Sequence, residues 1–167
     1  MGLDSLPRKT SIFVTLPDGF SGAESIAPIL AALRVSRPDA RVSVLCSGAC
    51  AEALSRRPDC ADAVIELPPR AFGKLPRLKF FGRLSLSYPD INIVFDGSVA
   101  ADMEAFALGA QQRNAVESSR RRHFMTGVYK AAGGGGEPNP RLILETLEYF
   151  GMKSADCSEI KQSEVKL

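Results

Sequence analysis

Ser11-Ile12-Phe13-Val14-Thr15-Leu16-Pro17-Asp18-Gly19-Phe20-Ser21-Gly22-Ala23-Glu24, with the helical run that follows it to Leu33, decides the fold. The first six residues are largely β-branched or apolar and do not alternate, the pattern of a strand covered on both faces. Pro17-Asp18-Gly19-Phe20 breaks the run with turn residues. Ser21-Gly22-Ala23-Glu24 then has the S-x-x-E spacing of a capping box. In that motif the Ser21 hydroxyl accepts from the Glu24 N–H, and the Glu24 carboxylate accepts from the Ser21 N–H. Ile26, Ile29, Leu30 and Leu33 fall on one face of a helix. Arg34 and Arg37 suit its C-terminal end, and Pro38 stops it. A buried strand that passes through a short loop into a helix is the opening unit of a doubly wound α/β domain. Ligands in such domains sit at that loop, past the carboxyl end of the strand.

Outward from this unit the alternation repeats. Arg41-Val42-Ser43-Val44-Leu45-Cys46 reads as a second strand, and Ser47-Gly48 turns it into a short helix that ends at Pro58-Asp59. Ala63-Val64-Ile65-Glu66-Leu67 is a third strand, closed by Pro68-Pro69. Arg70 to Ser87 is basic and amphipathic. Lys74, Arg77, Lys79 and Arg83 interleave with Leu75, Leu78, Phe80, Phe81 and Leu84, which predicts a helix over 75–86 with Pro76 in its first turn. Ile91 to Asp96 is the fourth strand, Ser98 caps a helix over 99–108, and Asn114-Ala115-Val116-Glu117 is a short fifth strand.

Past Arg120-Arg121-Arg122-His123 and a short segment to Lys130, Gly133-Gly134-Gly135-Gly136 reads as a mobile loop, since glycine loses the most entropy on ordering. The last helix is capped by Asn139 with Pro140 in its first position. Leu144, Leu147 and Phe150 share one face, and Gly151 is the stop. Strands alternating with helices predict a Rossmann-like three-layer α/β domain over 11–152, with a parallel sheet of order 3-2-1-4-5. Residues 1–10 read as a loose leader and 153–167 as a polar tail.

At 167 residues the chain has the size of one domain, and 45% apolar with 24% charged residues is the composition of a soluble globular protein. A net charge of +2 makes no case for nucleic acid. No apolar run reaches the ~20 residues that span a bilayer. The first residues lack the build of a signal peptide, and Leu6 stands where a myristoylation motif needs Ser or Thr. Cys46 and Cys50 are joined by no second close pair and no nearby histidine, so they complete no zinc set. With Cys60 and Cys157 they read as reduced thiols of a cytoplasmic protein that holds no metal and no cofactor.

Four passages share an order and a spacing. They are Ile12 to Pro28, with its proline inside the helix; Ala32-Leu33-Arg34 with Arg37-Pro38-Asp39-Ala40-Arg41-Val42; Tyr88-Pro89-Asp90 to Phe95-Asp96-Gly97-Ser98; and Ile143 to Met152. Together they resemble the N-terminal domain of glycosyltransferase family 9, the lipopolysaccharide heptosyltransferases. The resemblance implies one half of a GT-B arrangement, in which this half binds the lipid-sugar acceptor and a second domain binds most of the nucleotide-sugar donor. It also implies an acidic base in the first loop, at the helix start, that takes the acceptor hydroxyl's proton as the oxygen attacks the anomeric carbon. In the ungapped register Ser21 and Gly22 occupy those positions, and glycine has no side chain to accept a proton.

Asp18 and Glu24 are the nearest carboxylates. The capping box accounts for Glu24, which leaves Asp18, in a Pro-Asp-Gly turn, as the candidate catalytic base. Lys74 and Arg77 resemble the basic region that faces the acidic acceptor in this family, or else belong to a solvated helix face. Arg120, Arg121, Arg122 and His123 lie after the fifth strand on the ligand side. They are candidate anion holders or an exposed basic loop. Asp96 either points into the crevice or, with Ser98, supplies turn and cap chemistry. Ser21 and Gly22, at a helix N-terminus, complete the candidate acceptor or anion site.

The chain ends about where the family's interdomain linker would begin. The expected function is a stand-alone, non-catalytic domain that resembles the acceptor-binding half of a heptosyltransferase and acts as a binding or assembly module. The alternative is the acceptor-binding subunit of a split glycosyltransferase, acting on lipopolysaccharide or another glycan with a separate donor-binding chain. Expected partners are a protein or a second copy at the cleft face, an anionic glycan, or a sugar nucleotide. Neither nucleic acid nor a transmembrane segment is expected.

Overall fold

A strand that is apolar on both faces belongs in the middle of a sheet, and β1 (Thr10–Thr15) is there. The computed structural model describes residues 9–118, 122–131 and 138–151. Its strands β1, β2 (Ala40–Cys46), β3 (Ala63–Glu66), β4 (Ile91–Val94), β5 (Gln112–Val116) and β6 (Gly127–Tyr129) form one six-stranded sheet, ordered β3-β2-β1-β4-β5-β6. Every neighbouring pair is parallel, and Ile12 stands between Val42 and Ile91. The expected order of five strands is therefore present, with a sixth at the edge. Gly127-Val128-Tyr129 is too short to show a period of two, and all three residues are half-buried.

Alternation along the strands assigns the two faces. Ile12, Val14, Val42, Val44 and Ile93 pack in one cluster with α1 (Ala23–Ser36), α2 (Gly48–Ser55) and α5 (Pro140–Tyr149), through Ile26, Leu30, Leu54, Ile143 and Leu147. Phe13 and Leu45 point the other way, to Phe81 of α3 (Lys74–Leu84) and Leu108 of α4 (Val99–Leu108). Val94 and Ala115 meet Ala101 and Ala105, small residues that let α4 lie close to the sheet.

The expected caps hold for two helices. The Ala101 N–H donates to Ser98 Oγ at 3.1 Å, and the Leu142 N–H donates to Asn139 Oδ1 at 2.8 Å. Gly151 ends α5 at φ +83°, a left-handed backbone that favours glycine. The capping box at α1 is not formed. The helix is capped by Gly22, whose carbonyl accepts from the Ser25 and Ile26 N–H groups at 3.1 Å each. Ser21 thus sits one residue too early for its hydroxyl to close the turn, and Glu24 instead meets Arg57 Nη1 at 3.3 Å. Phe150 lies past the end of α5, edge-to-face on Tyr149 with ring centroids 5.0 Å apart. Thr10 is part of β1, and residues 1–8 lie outside the described residues. The glycine run Gly133 to Gly136, the tail from residue 152 and Cys157 lie outside the described residues.

Candidate functional site

Three loops leave the carboxyl ends of β1, β3 and β4 and meet above the sheet. Gly19, at φ +74°, lets the first loop turn so that Asp18 faces the layer of α3 and α4. The loop after β3 brings in Arg70, and the loop after β4 carries Asp96 and Ser98. From below, α3 contributes Arg77 and α4 contributes Glu104.

These side chains form one ionic lattice. Arg77 Nη1 donates to both oxygens of Asp18, at 2.9 and 3.1 Å, and to the Pro68 carbonyl at 3.1 Å. Arg77 Nη2 donates to Glu104 Oε2 at 3.0 Å. Arg70 Nη2 donates to Asp96 Oδ2 at 2.8 Å and Nη1 to Ser98 Oγ at 3.2 Å, while Nε lies 2.7 Å from Asp18 Oδ2. The Nε–H groups of Arg70 and Arg77 are not aimed along their short lines to Asp18 and Glu104, so those two contacts are ionic and not hydrogen bonds. Burial works against the charge of Arg70, but Asp96, Glu104 and Asp18 outweigh it and raise its pKa above the ordinary arginine value. Two guanidiniums against three carboxylates leave the lattice one negative charge in excess.

Beside the lattice a cleft of about 260 Å³ is lined by Asp18, Gly19, Phe20, Ser21, Gly22 and Ser25 on one side and by Pro138, Asn139 and Pro140 on the other. The Phe20 ring lies over Gly22: a β-carbon there would stand 2.7 Å from Phe20 Cζ. Ser21 is exposed on the rim.

The structure brings Asp18, Arg77, Asp96 and Ser98 together, and it sets Ser21 and Gly22 beside Asp18 on the cleft. Arg77 is not an anion-facing cation on a wet helix face. Its side chain is 2% exposed, and its charge is taken up by Asp18 and Glu104. Asp96 supplies turn chemistry, Oδ1 accepting from the Ser98 N–H at 2.8 Å, while Oδ2 meets Arg70; it is not among the residues that line the cleft. Lys74 is exposed at the start of α3. Arg122 does not belong to an exposed basic loop. It is buried, with Nε and Nη2 at 2.8 and 2.7 Å from Asp102 Oδ1. Its Nη1 donates to the Val116 carbonyl at 3.0 Å and Nη2 to the Asp96 carbonyl at 2.9 Å. His123 is exposed, and Arg120 and Arg121 lie outside the described residues.

Sequence reasoning passed over Glu104 and took Arg70 only as the start of a basic stretch. A signal for Glu104 was present: Asp102 and Glu104 are the only charges in Val99-Ala100-Ala101-Asp102-Met103-Glu104-Ala105-Phe106-Ala107-Leu108, and Glu104 falls on the inward stripe with Ala101, Ala105 and Leu108. Away from the cleft, Cys46, Cys50 and Cys60 are buried free thiols. A hydrogen bond to Cys50, with burial, pushes the Cys46 thiol up, and the same bond holds Cys50 below the ordinary thiol value. Among the described residues no three His, Cys, Asp or Glu side chains are grouped to hold a metal ion.

Two solved structures share this fold. E. coli ADP-heptose LPS heptosyltransferase II matches with a TM-score of 0.58 and 20% identity, over 73% of this chain and 35% of its own. A glycosyltransferase family 9 protein from Veillonella parvula matches with a TM-score of 0.66 and 15% identity, over 89% of this chain and 44% of its own. No family model matches the chain, and no curated protein matches it. The likeness establishes the fold, a Rossmann-like α/β domain of the kind found in family 9 glycosyltransferases, and the chain spans less than half the length of either structure.

Proposed function

We propose that this domain is a non-catalytic binding or assembly module built on the acceptor-half fold of a heptosyltransferase-like glycosyltransferase. One observation carries the reading. At the position where the resemblance puts the base stands Gly22, under the ring of Phe20. The nearest other carboxylate on the cleft, Asp18, accepts from Arg77 with both oxygens and touches Arg70 with one. A general base must present a free lone pair to the hydroxyl it deprotonates. Here Asp18 faces two guanidiniums, which in turn are fixed by Glu104, Asp96 and the Pro68 carbonyl.

A cleft lined by Ser21, Gly22, Phe20 and Asn139 suits binding of a glycan or of a protein segment at the cleft face. The second reading is an acceptor-binding subunit that works with a separate donor-binding chain. The fold it shares with a heptosyltransferase supports it.

Turnover separates the two. The chain is incubated with a sugar nucleotide and a lipopolysaccharide inner-core acceptor, alone and with a donor-binding lobe supplied as a second chain. The expected result is no transfer in either case. Transfer that appears and is then lost in Asp18→Ala would overturn the non-catalytic reading and give Asp18 the role of base.

A further inference from the structure

At the amino ends of the strands, away from the cleft, a groove of about 420 Å³ lies on the sheet face that carries Phe13 and Leu45. Strand alternation puts Ser11 and Phe13 on that face in β1, with Lys9 just before it, and Arg41 and Ser43 in β2. The register sets Arg41 beside Ser11, and Ser43 between Phe13 and Ala63. Ile65 of β3 and Leu84, the last residue of α3, complete the apolar part. Along the strands the lining thus passes from cationic through hydroxyl to apolar. Packing explains neither polar part. Ser43 is 4% exposed between the buried Val42 and Val44, yet its hydroxyl has no hydrogen-bond partner among the described residues. A buried hydroxyl costs stability when nothing bonds it, so such groups are seldom left alone. Lys9 and Arg41 are exposed, and neither is in an ion pair among the described residues. Two acids of the same end are engaged with other groups. Asp39 meets Arg37 at 3.0 Å, and Asp90 Oδ2 accepts from the Ser11 N–H at 2.7 Å.

We propose that this groove binds a phosphate monoester of a flat apolar group. Two cations match the dianion, and a guanidinium such as that of Arg41 can hold two phosphate oxygens at once. Ser43 stands about 7 Å further along β2 than Arg41, where its hydroxyl can donate to the ester oxygen at the start of the apolar body. Beyond it the sheet face of Phe13 and Ile65, walled by Leu84, offers a flat apolar floor. A bare phosphate would leave that floor uncovered, and a plain hydrocarbon would leave both cations and the Ser43 hydroxyl unmatched. The volume falls in the range of small-molecule sites, roughly 300–1,000 Å³. The proposal does not rest on the reading of the cleft, which opens at the opposite ends of the strands.

Titration of the isotopically labelled full chain with 1-naphthyl phosphate, followed by amide NMR shifts, tests it. Saturable binding is expected with a dissociation constant of roughly 1 mM or tighter, the affinity open to a ligand of that size. The shifts should centre on Ser11, Ser43 and Ile65 and leave Gly19 to Ser25 unmoved. Inorganic phosphate and 1-naphthol, each carrying half of the ligand, should both bind more weakly. Arg41→Gln should weaken binding by about tenfold, through the loss of charged hydrogen bonds, and Ser43→Ala by about fivefold. Neither variant should lower the melting temperature, since Arg41 is exposed and the Ser43 hydroxyl has no partner to lose. No saturable binding overturns the proposal, as do shifts confined to the cleft. Equal affinity for inorganic phosphate or for 1-naphthol overturns it too, and so does an affinity that neither substitution changes.

Discussion

Arg77 of α3 and Glu104 of α4, with side chains 2% and 5% exposed, face one another two-on-two, Nη2 donating to Oε2 at 3.0 Å and Nε standing 2.8 Å from Oε1. The pair ties the two helices of one layer together beneath the ligand end of the sheet. Through the other guanidinium nitrogen, Arg77 also holds Asp18 and thereby the loop that follows the central strand. A charge is stable at that depth only because both partners are present.

Removing one partner should therefore cost far more than removing both. Arg77→Met leaves Glu104 with its longer contact to Arg70, 3.5 Å from Oε2, and should destabilise the domain by about 3 kcal/mol, read from urea denaturation. Arg77→Met with Glu104→Leu replaces the pair by apolar groups and should recover much of that loss, since Asp18 keeps Arg70. Simple additivity of the two single losses would show that the pair is not coupled.

The same two residues mark how far the sequence could be read. Strand order followed from local pattern, because each strand–loop–helix unit carries its own period and its own stop, and right-handed crossovers leave few ways to stack such units. The candidate site did not follow in the same way. Lys74, Arg77, Lys79 and Arg83 are one basic run in the sequence, yet the turn of the helix sends Arg77 into the core and leaves the other three outside. Whether a cation in such a run is solvated depends on a carboxylate 27 residues away in the chain. The same holds for Arg122, whose partner Asp102 lies 20 residues back. Long-range charge pairing leaves no periodic trace, except as an acid in an otherwise apolar helix.

The Phe20 ring over Gly22 makes its own prediction. Gly22→Ala places a methyl group 2.7 Å from Phe20 Cζ, so the ring must swing away from the cleft. The cost should be up to about 1 kcal/mol, because the contact is to the far end of a half-buried ring at the edge of the cleft. In a Phe20→Ala background the same change should cost little, because the φ of −85° at Gly22 suits any residue. Equal costs in both backgrounds, measured by thermal unfolding, would show that the ring does not set the tolerance at this position.

Arg122 locks the loop after β5 to the start of α4 by filling four acceptor contacts with one planar group, two on Asp102 and one each on the Val116 and Asp96 carbonyls. A lysine ammonium keeps the charge but cannot span these positions. Arg122→Lys should lower stability by about 2 kcal/mol, through the loss of charged hydrogen bonds at a buried site. A fall of the melting temperature no larger than that of an exposed Lys or Arg substitution would show that charge alone suffices.

Cys60 supplies a test in pH. Burial, with the nearby Asp59, raises its thiol above the ordinary value, and the thiol donates to the Arg57 carbonyl at 3.0 Å. The folded chain thus keeps a proton that the unfolded chain releases once the pH passes about 8.5. Below that value both states hold the proton and stability does not depend on it. Above it the unfolded state binds fewer protons, so stability falls as pH rises, by at most about 1.4 kcal/mol per unit. Cys60→Ala removes this slope and leaves its own cavity cost, which does not vary with pH. The difference in urea midpoint between parent and Cys60→Ala should accordingly be constant near neutrality and shrink between roughly pH 8.5 and 10. Parallel curves across that window would mean that Cys60 ionises in the folded protein as readily as in the open chain, which a thiol with no exposed surface should not do.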